Sequence, residues 1–217
     1  MTLTPMQNLV ARAAPCVAGA LLCLALADGV QAHEGHANLP AAGALARSEH
    51  NYALPALKLA RADGKRVTLA EAIDDGRPVM LNFIYTSCNA ICPVTSQVFV
   101  EFREKVGAER DRINMVSISI DADQDTPATL TAYARRYGSA GVWAHYTGTS
   151  ADMVDLQRAF DAWRGDKMNH QPTTYLRAAP GKPWVRLDGF YSPAALLGEY
   201  QKAVHPATTR TTTASLP

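Results

Sequence analysis

The sequence has little net charge, no cluster of basic residues and few cysteines. Lysine and arginine number 21 against 20 aspartates and glutamates, so the formal net charge of the 217-residue chain is +1. No run of five or more basic residues occurs, and a nucleic-acid-binding surface is therefore not predicted. Four cysteines are too few for a disulfide-stapled scaffold. With 47% hydrophobic and only 19% charged residues, a largely disordered chain is excluded as well.

The most apolar stretch lies near the start of the chain. Residues 13–27 carry no charge, and their core from Val17 to Ala27 has the length of a signal-peptide apolar region, short of the roughly 20 residues that span a bilayer. Val30-Gln31-Ala32 fits a cleavage site. We predict a signal peptide over residues 1–32, or an N-terminal anchor if it is not cleaved. Either alternative predicts an exported protein, located in the periplasm or on the outer face of the inner membrane. After cleavage, the remaining cysteines are Cys88 and Cys92.

The rest of the chain has the pattern of one domain between two low-complexity segments. Residues 33–50 are small and polar and predict a flexible tether, and the Thr-rich residues 206–217 predict a disordered tail. Between them, residues 51–205 alternate β-forming apolar runs with helical patterns.

The order of these patterns predicts the fold class. The predicted strands are 78–86, 113–120, 142–147, 173–177 and 184–187, and the predicted helices begin at Pro93, Pro127, Ser150 and Pro193. Pro180-Gly181 predicts a hairpin turn between the last two strands. This order requires an α/β fold with a central mixed sheet and helices on both faces, and a thioredoxin-like fold satisfies it.

Cys88 and Cys92 follow the first predicted strand, where the chain enters a helix. Ligands bind at that end of open α/β sheets, and the free N–H groups and positive dipole end of a helix favour thiolate over thiol. Such a pair can close a disulfide or bind a soft metal ion. We do not expect paired cysteines at such a junction to act only as small buried apolar side chains.

The spacing of the two cysteines leaves both chemical roles open. A two-residue gap is the usual thiol–disulfide exchange motif, whereas the three-residue gap here permits a disulfide but leaves more room for a metal. Two thiolates without a neighbouring carboxylate suit Cu(I) or zinc, and a third donor should complete the site. His170 is the best candidate, because its loop precedes strand 173–177, which lies beside the cysteine turn in a thioredoxin-like sheet. His145 lies within a predicted strand and is predicted to be structural.

Three segments of the chain, 83–93, 119–127 and 170–176, resemble in this order the SCO/SenC family of copper proteins of cytochrome c oxidase assembly. Phe83 to Pro93 is similar to the family signature Phe-x-x-Thr-x-Cys-x-x-x-Cys-Pro. Ser119-Ile120-Asp121 followed by Asp125-Thr126-Pro127 resembles its Ser-Val-Asp-Pro-x-Arg-Asp-Thr-Pro stretch, and His170 followed by Tyr175-Leu176 resembles its ligand-histidine segment. Residues 52–55 and 63–65 are similar to its opening strands.

The resemblance implies a thioredoxin-like copper metallochaperone. One copper ion per domain, Cu(I) and also Cu(II), would be held by Cys88, Cys92 and His170. The implied role is delivery of copper to the dinuclear CuA centre of cytochrome c oxidase. The implied partners are the CuA-bearing subunit or another cuproenzyme, an upstream copper donor and a thiol reductant, with no nucleic acid.

The same cysteines support a second class of protein. A thiol–disulfide oxidoreductase would use Cys88 as nucleophile and Cys92 as resolving thiol, reducing the cysteines of the CuA site or of another exported protein. A copper or redox sensor is a third alternative. Asp121 and Asp125 end a strand near the same edge, and either could orient His170 or stabilise the domain. Helix capping before Pro127 explains Asp125 equally well, and both aspartates are predicted to lie outside the site.

Overall fold

A computed structural model describes residues 45–206 of the chain. Its strands are β1 (Ala46–His50), β2 (Lys58–Arg61), β3 (Arg66–Thr68), β4 (Val79–Ile84), β5 (Asn114–Ser119), β6 (Ala144–Thr147), β7 (Thr173–Arg177) and β8 (Trp184–Asp188). Its α-helices are α1 (Leu69–Ile73), α2 (Ile91–Val106), α3 (Pro127–Arg136), α4 (Ser150–Ala159) and α5 (Pro193–Val204). Short 3₁₀ helices cover Gly107–Arg112 and Lys167–Asn169. The predicted signal peptide, most of the predicted tether and all but Pro206 of the predicted tail lie outside the described residues.

The strands form a single mixed sheet in the order β1-β8-β7-β4-β5-β6-β2-β3. Strand β4 pairs in parallel with β5, which pairs in parallel with β6, while β7 lies antiparallel on the other side of β4. All six residues of β4 are buried, because helices cover both faces of the sheet at its centre. This is the predicted thioredoxin-like α/β fold, and it places the carboxyl end of β4 in the middle of the sheet edge.

Apolar side chains alternate between two cores along β4. Leu81 and Phe83 point to a core shared with α1 and α4, whereas Met80 points to a core shared with α2 and α5. The first core contains a group of aromatic rings around Phe160 and Tyr175, whose centroids are 4.9 Å apart. Burial on both faces is the main source of stability at the strand that carries the cysteines.

The strands and helices predicted from residue 78 onwards are confirmed. All five predicted strands and all four predicted helices are present, and β7 and β8 form the predicted hairpin with Gly181 at a φ of 74°. His145 lies buried in β6, as a structural residue should. Within residues 45–206, no helix is both long and apolar enough to cross a membrane.

Five details differ from the sequence predictions. Ala46–His50, assigned to the tether, form the edge strand β1, which pairs with β8. Residues 52–55 are not a strand, and residues 63–65 form the turn between β2 and β3 rather than a strand. Pro93 is the third residue of α2 rather than the first. The short elements β2, β3 and α1 were not predicted.

Candidate functional site

The cysteine turn joins β4 to α2. The N–H of Cys88 donates to the carbonyl of Tyr85 at 3.1 Å, which closes the turn. Ala90, the N-cap residue of α2, offers no side-chain cap. The sulfur of Cys88 supplies one instead, because it accepts the N–H of Cys92 at 3.3 Å. A sulfur in this position faces the positive end of the helix, which stabilises its thiolate form.

The two thiols have different environments. Both are free, but Cys92 is fully buried whereas Cys88 keeps 9% of its surface exposed. Burial opposes the ionisation of Cys88, but hydrogen bonds from the backbone of Cys92 and Ala90 outweigh it, and its pKa falls below the usual value for a thiol. Burial raises the pKa of Cys92 far above that value, and the nearby charge of Cys88 adds to the effect. One thiol is therefore prepared to ionise and the other is held protonated.

Asp125 connects the cysteine turn to β5. Its buried carboxylate accepts the N–H of Thr86 at 2.9 Å and the hydroxyl of Thr86 at 2.5 Å. It also accepts the hydroxyl of Ser119 at 2.6 Å. Of the roles considered for Asp125, helix capping is wrong, because the side chain of Thr126 caps α3. Asp125 instead stabilises the domain by fixing the start of the cysteine turn. The only sequence signal for this role was that polar residues follow the ends of two neighbouring strands, Thr86 after β4 and Asp125 after β5.

His170 lies at the same end of the sheet. It follows the 3₁₀ helix Lys167–Asn169, and its ring nitrogen Nε2 lies 3.1 Å from the carbonyl oxygen of Phe83 in β4. A carbonyl can only accept, so this contact requires the proton on Nε2 and leaves the lone pair on Nδ1. Burial lowers the pKa of His170 and keeps the ring neutral. Metal-binding histidines are commonly oriented by this kind of bond through the nitrogen that does not bind the metal.

Tyr85 lies between His170 and the cysteines. Its ring centroid is 6.5 Å from that of His170, and its side chain packs in one buried cluster with Cys88 and Cys92. Burial, with the nearby Cys88, raises the pKa of Tyr85 to about 12, so the phenol stays protonated. The 3₁₀ helix before His170 is attached to the sheet by an ion pair of 2.5 Å between Lys167 and Asp121.

The structure brings the two cysteines together and places His170 near them without a complete metal site. Within the described part of the chain, no three His, Cys, Asp or Glu side chains lie close enough together to bind one ion. The thiol pair and a neutral imidazole are nevertheless the donor types that suit copper. Sequence reasoning missed Tyr85, whose position one residue past the end of β4 was the only available signal.

The fold and the cysteine turn define a class: a thioredoxin-like domain whose free thiols lie at a helix N-terminus, suited to thiol or soft-metal chemistry. The family model SCO1/SenC matches residues 46–205, and the chain belongs to this family.

Individual relatives agree with the family assignment. The chain is 28% identical to an SCO1 protein homolog of Bacillus subtilis (strain 168) over 141 residues, which are 61% of this chain and 72% of the relative. It is similar in fold to copper-bound ScoI of Bradyrhizobium japonicum, with 22% identity, a TM-score of 0.58, and coverage of 69% of this chain and 98% of the other. It is also similar to BsSco, a member of the Sco family of cytochrome c oxidase assembly proteins in which a disulfide switch was identified, with 26% identity, a TM-score of 0.60, and coverage of 72% and 96%.

Proposed function

We propose that this protein is a copper metallochaperone that binds one copper ion through Cys88, Cys92 and His170 and delivers it to the CuA centre of cytochrome c oxidase. The observation that carries the proposal is the pairing of two free thiols with a nearby buried imidazole whose Nε2 is occupied by the carbonyl of Phe83. Membership of a family with copper-bound relatives supports it. Copper is here the cargo of the protein.

The two cysteines would provide most of the binding energy. Both must lose their protons to bind the ion, so binding releases protons and is favoured by rising pH. Cys88 has the lower pKa and would bind first. Cys92 has a raised pKa as a free thiol, but a bound cation beside it would oppose the effect of burial.

His170 would complete the site from its loop. With Nε2 bonded to Phe83, the lone pair of Nδ1 is the one available for the metal. Because the three side chains do not form a ready-made cluster, ligation requires a movement of the His170 segment towards Cys88. A ligand that joins and leaves in this way suits a carrier, since replacing ligands one at a time passes the ion to a partner without releasing it.

Copper titration of the reduced protein under anaerobic conditions tests the proposal. The wild-type protein should retain one equivalent of Cu(I) against a competing chelator. Cys88→Ala and Cys92→Ala should abolish this retention, and His170→Ala should weaken it by about tenfold or more. His145→Ala is the matched control, because this histidine is also buried but lies in β6 away from the turn. Retention of copper by a variant that combines Cys88→Ala and Cys92→Ala would refute the proposal.

The unequal thiols support a second candidate, a thiol–disulfide oxidoreductase. The Cys88 thiolate would attack a substrate disulfide, form a mixed disulfide and release one substrate thiolate. Cys92 would then lose its proton, attack the sulfur of Cys88 and release the second substrate thiol, leaving a Cys88–Cys92 disulfide. Two electrons pass to the substrate, and an external thiol reductant would restore the pair.

His170 separates the two candidates. Disulfide exchange does not require an imidazole at this position, so reductase turnover that survives His170→Ala would favour the enzyme. Copper retention that depends on His170, without turnover, would favour the chaperone. For either activity we propose that the protein is exported, because the apolar segment before residue 33 has the pattern of a signal peptide.

A further inference from the structure

A third sulfur lies beside the cysteine turn. The thioether of Met168, in the 3₁₀ helix just before His170, is 3.8 Å from the hydroxyl of Tyr85. The side chain of Tyr85 packs in the same buried cluster as Cys88 and Cys92. Met168 therefore contacts a residue that packs with both cysteines, although Met168 and Cys88 are 80 positions apart in the chain.

Packing does not account for Met168. Met168 is 73% exposed, whereas Met80, Met115 and Met153 are buried in the two cores. An exposed thioether contributes little to stability through burial of apolar surface.

The backbone around Met168 is nevertheless fixed. The N–H of Met168 donates to the side chain of Asp166 at 2.8 Å. On either side, Lys167 pairs with Asp121 and His170 bonds to Phe83. An exposed apolar side chain is thus presented at a defined place beside the site, attached to the same segment as the proposed histidine ligand.

We propose that Met168 is an additional ligand of this site that binds Cu(I) together with Cys88 and Cys92, an inference that rests on the proposed copper-carrier function. A thioether is a soft donor that selects Cu(I) and has little affinity for Cu(II). The thioether would join the two thiolates and the Nδ1 of His170 when Cu(I) is bound, while Nε2 of His170 stays bonded to Phe83. It would leave the ion when Cu(II) is bound, so the loop supplies a second donor for the reduced ion only.

Copper affinity in both oxidation states tests this assignment. Met168→Leu keeps the size and apolar character of the side chain but removes the sulfur. This substitution should lower the affinity for Cu(I) by about tenfold and leave the affinity for Cu(II) unchanged. A tenfold loss is the lower end of the range seen when groups around a metal site are removed. Phe190→Leu, which alters another half-exposed apolar side chain, is the control and should change neither.

Selenium labelling gives a direct readout that does not depend on delivery activity. In protein with selenomethionine at its methionines, X-ray absorption at the copper edge of the Cu(I) form should show selenium bound to copper, and Met168→Leu should remove that signal. Normal Cu(I) binding with no selenium neighbour would overturn the role of Met168 and leave the carrier function standing. Failure of the wild-type protein to bind copper at all would overturn both.

Discussion

At the scale of single residues, the site depends on two chemically identical thiols that the fold places in different environments. Cys88 accepts an N–H at the start of α2 and remains partly exposed, and its pKa is lowered. Cys92 lies four residues later within the helix, among Ile84, Leu130 and Tyr133, and its pKa is raised by burial. A thiol pair of this kind has one reactive member and one that becomes reactive only after the first has bound or been oxidised.

Alkylation of the reduced protein should show this difference. Iodoacetamide should modify Cys88 first, with a midpoint pH below that of an ordinary cysteine, because only the thiolate reacts. Cys92 should stay unmodified in the folded protein across the same pH range. Peptide mass spectrometry after timed quenching measures both rates, and urea-denatured protein, in which the two should react alike, is the control. Equal rates in the folded protein would contradict the assigned environments.

At the scale of secondary-structure elements, the cysteine turn is held by bonds from outside its own sequence. Asp125, just before α3, accepts three hydrogen bonds from Thr86 and Ser119. Hydrogen bonds to a charged group contribute about 1.5–3 kcal/mol each, and a buried donor left unpaired is costly. The junction of β4 and α2 therefore depends on the end of β5.

Asp125→Asn should destabilise the protein, because an amide cannot accept all three donors. We expect the free energy of unfolding to fall by about 2–3 kcal/mol, as measured by urea denaturation of the reduced protein. Asp123→Asn is the matched control. Asp123 lies in the same loop but is exposed, with one bond to Ser150, and its substitution should change stability by no more than about 0.5 kcal/mol. Equal effects of the two substitutions would refute the role of Asp125.

At the scale of the whole molecule, buried histidines make stability depend on pH. His145 in β6 stacks on Trp143 at a ring distance of 5.5 Å and lies 3.4 Å from the hydroxyl of Ser139. Burial lowers the pKa of His145 to about 4. The unfolded chain therefore takes up a proton at a higher pH than the folded protein, and stability falls as the pH drops from the unfolded value of about 6.5 towards 4.

His145→Phe should reduce this loss. In the wild-type protein, His145 should account for about 2 kcal/mol of lost stability between about pH 7.5 and about pH 5. Urea denaturation at both pH values measures the loss, which should be smaller by that amount in His145→Phe. Some dependence should persist, because burial also lowers the pKa of His170. An unchanged pH dependence in the variant would show that His145 does not titrate as burial requires.

The elements that sequence patterns predicted well are those that are buried on both faces or capped locally. Strand β4 is an apolar run interrupted only by Asn82, and Thr126 and Ser192 cap the helices that follow them. Strand β1 was missed because its residues are mostly polar and exposed. It is a strand because of distant partners: β8 supplies the backbone pairing, and Arg47 bonds to Glu199 at 2.9 Å.

The sequence by itself determined the thioredoxin-like fold class and the cysteine pair at a strand-to-helix junction. It also singled out His170 as the candidate third donor, because its loop precedes the strand 173–177. These follow from short-range periodicity, capping and spacing. Only the tertiary structure decided that Asp125 fixes the turn, that Phe83 selects the tautomer of His170 and that Met168 lies beside Tyr85. The physical reason is that each of these contacts joins residues tens of positions apart, and such contacts exist only after the sheet has set the neighbours of β4.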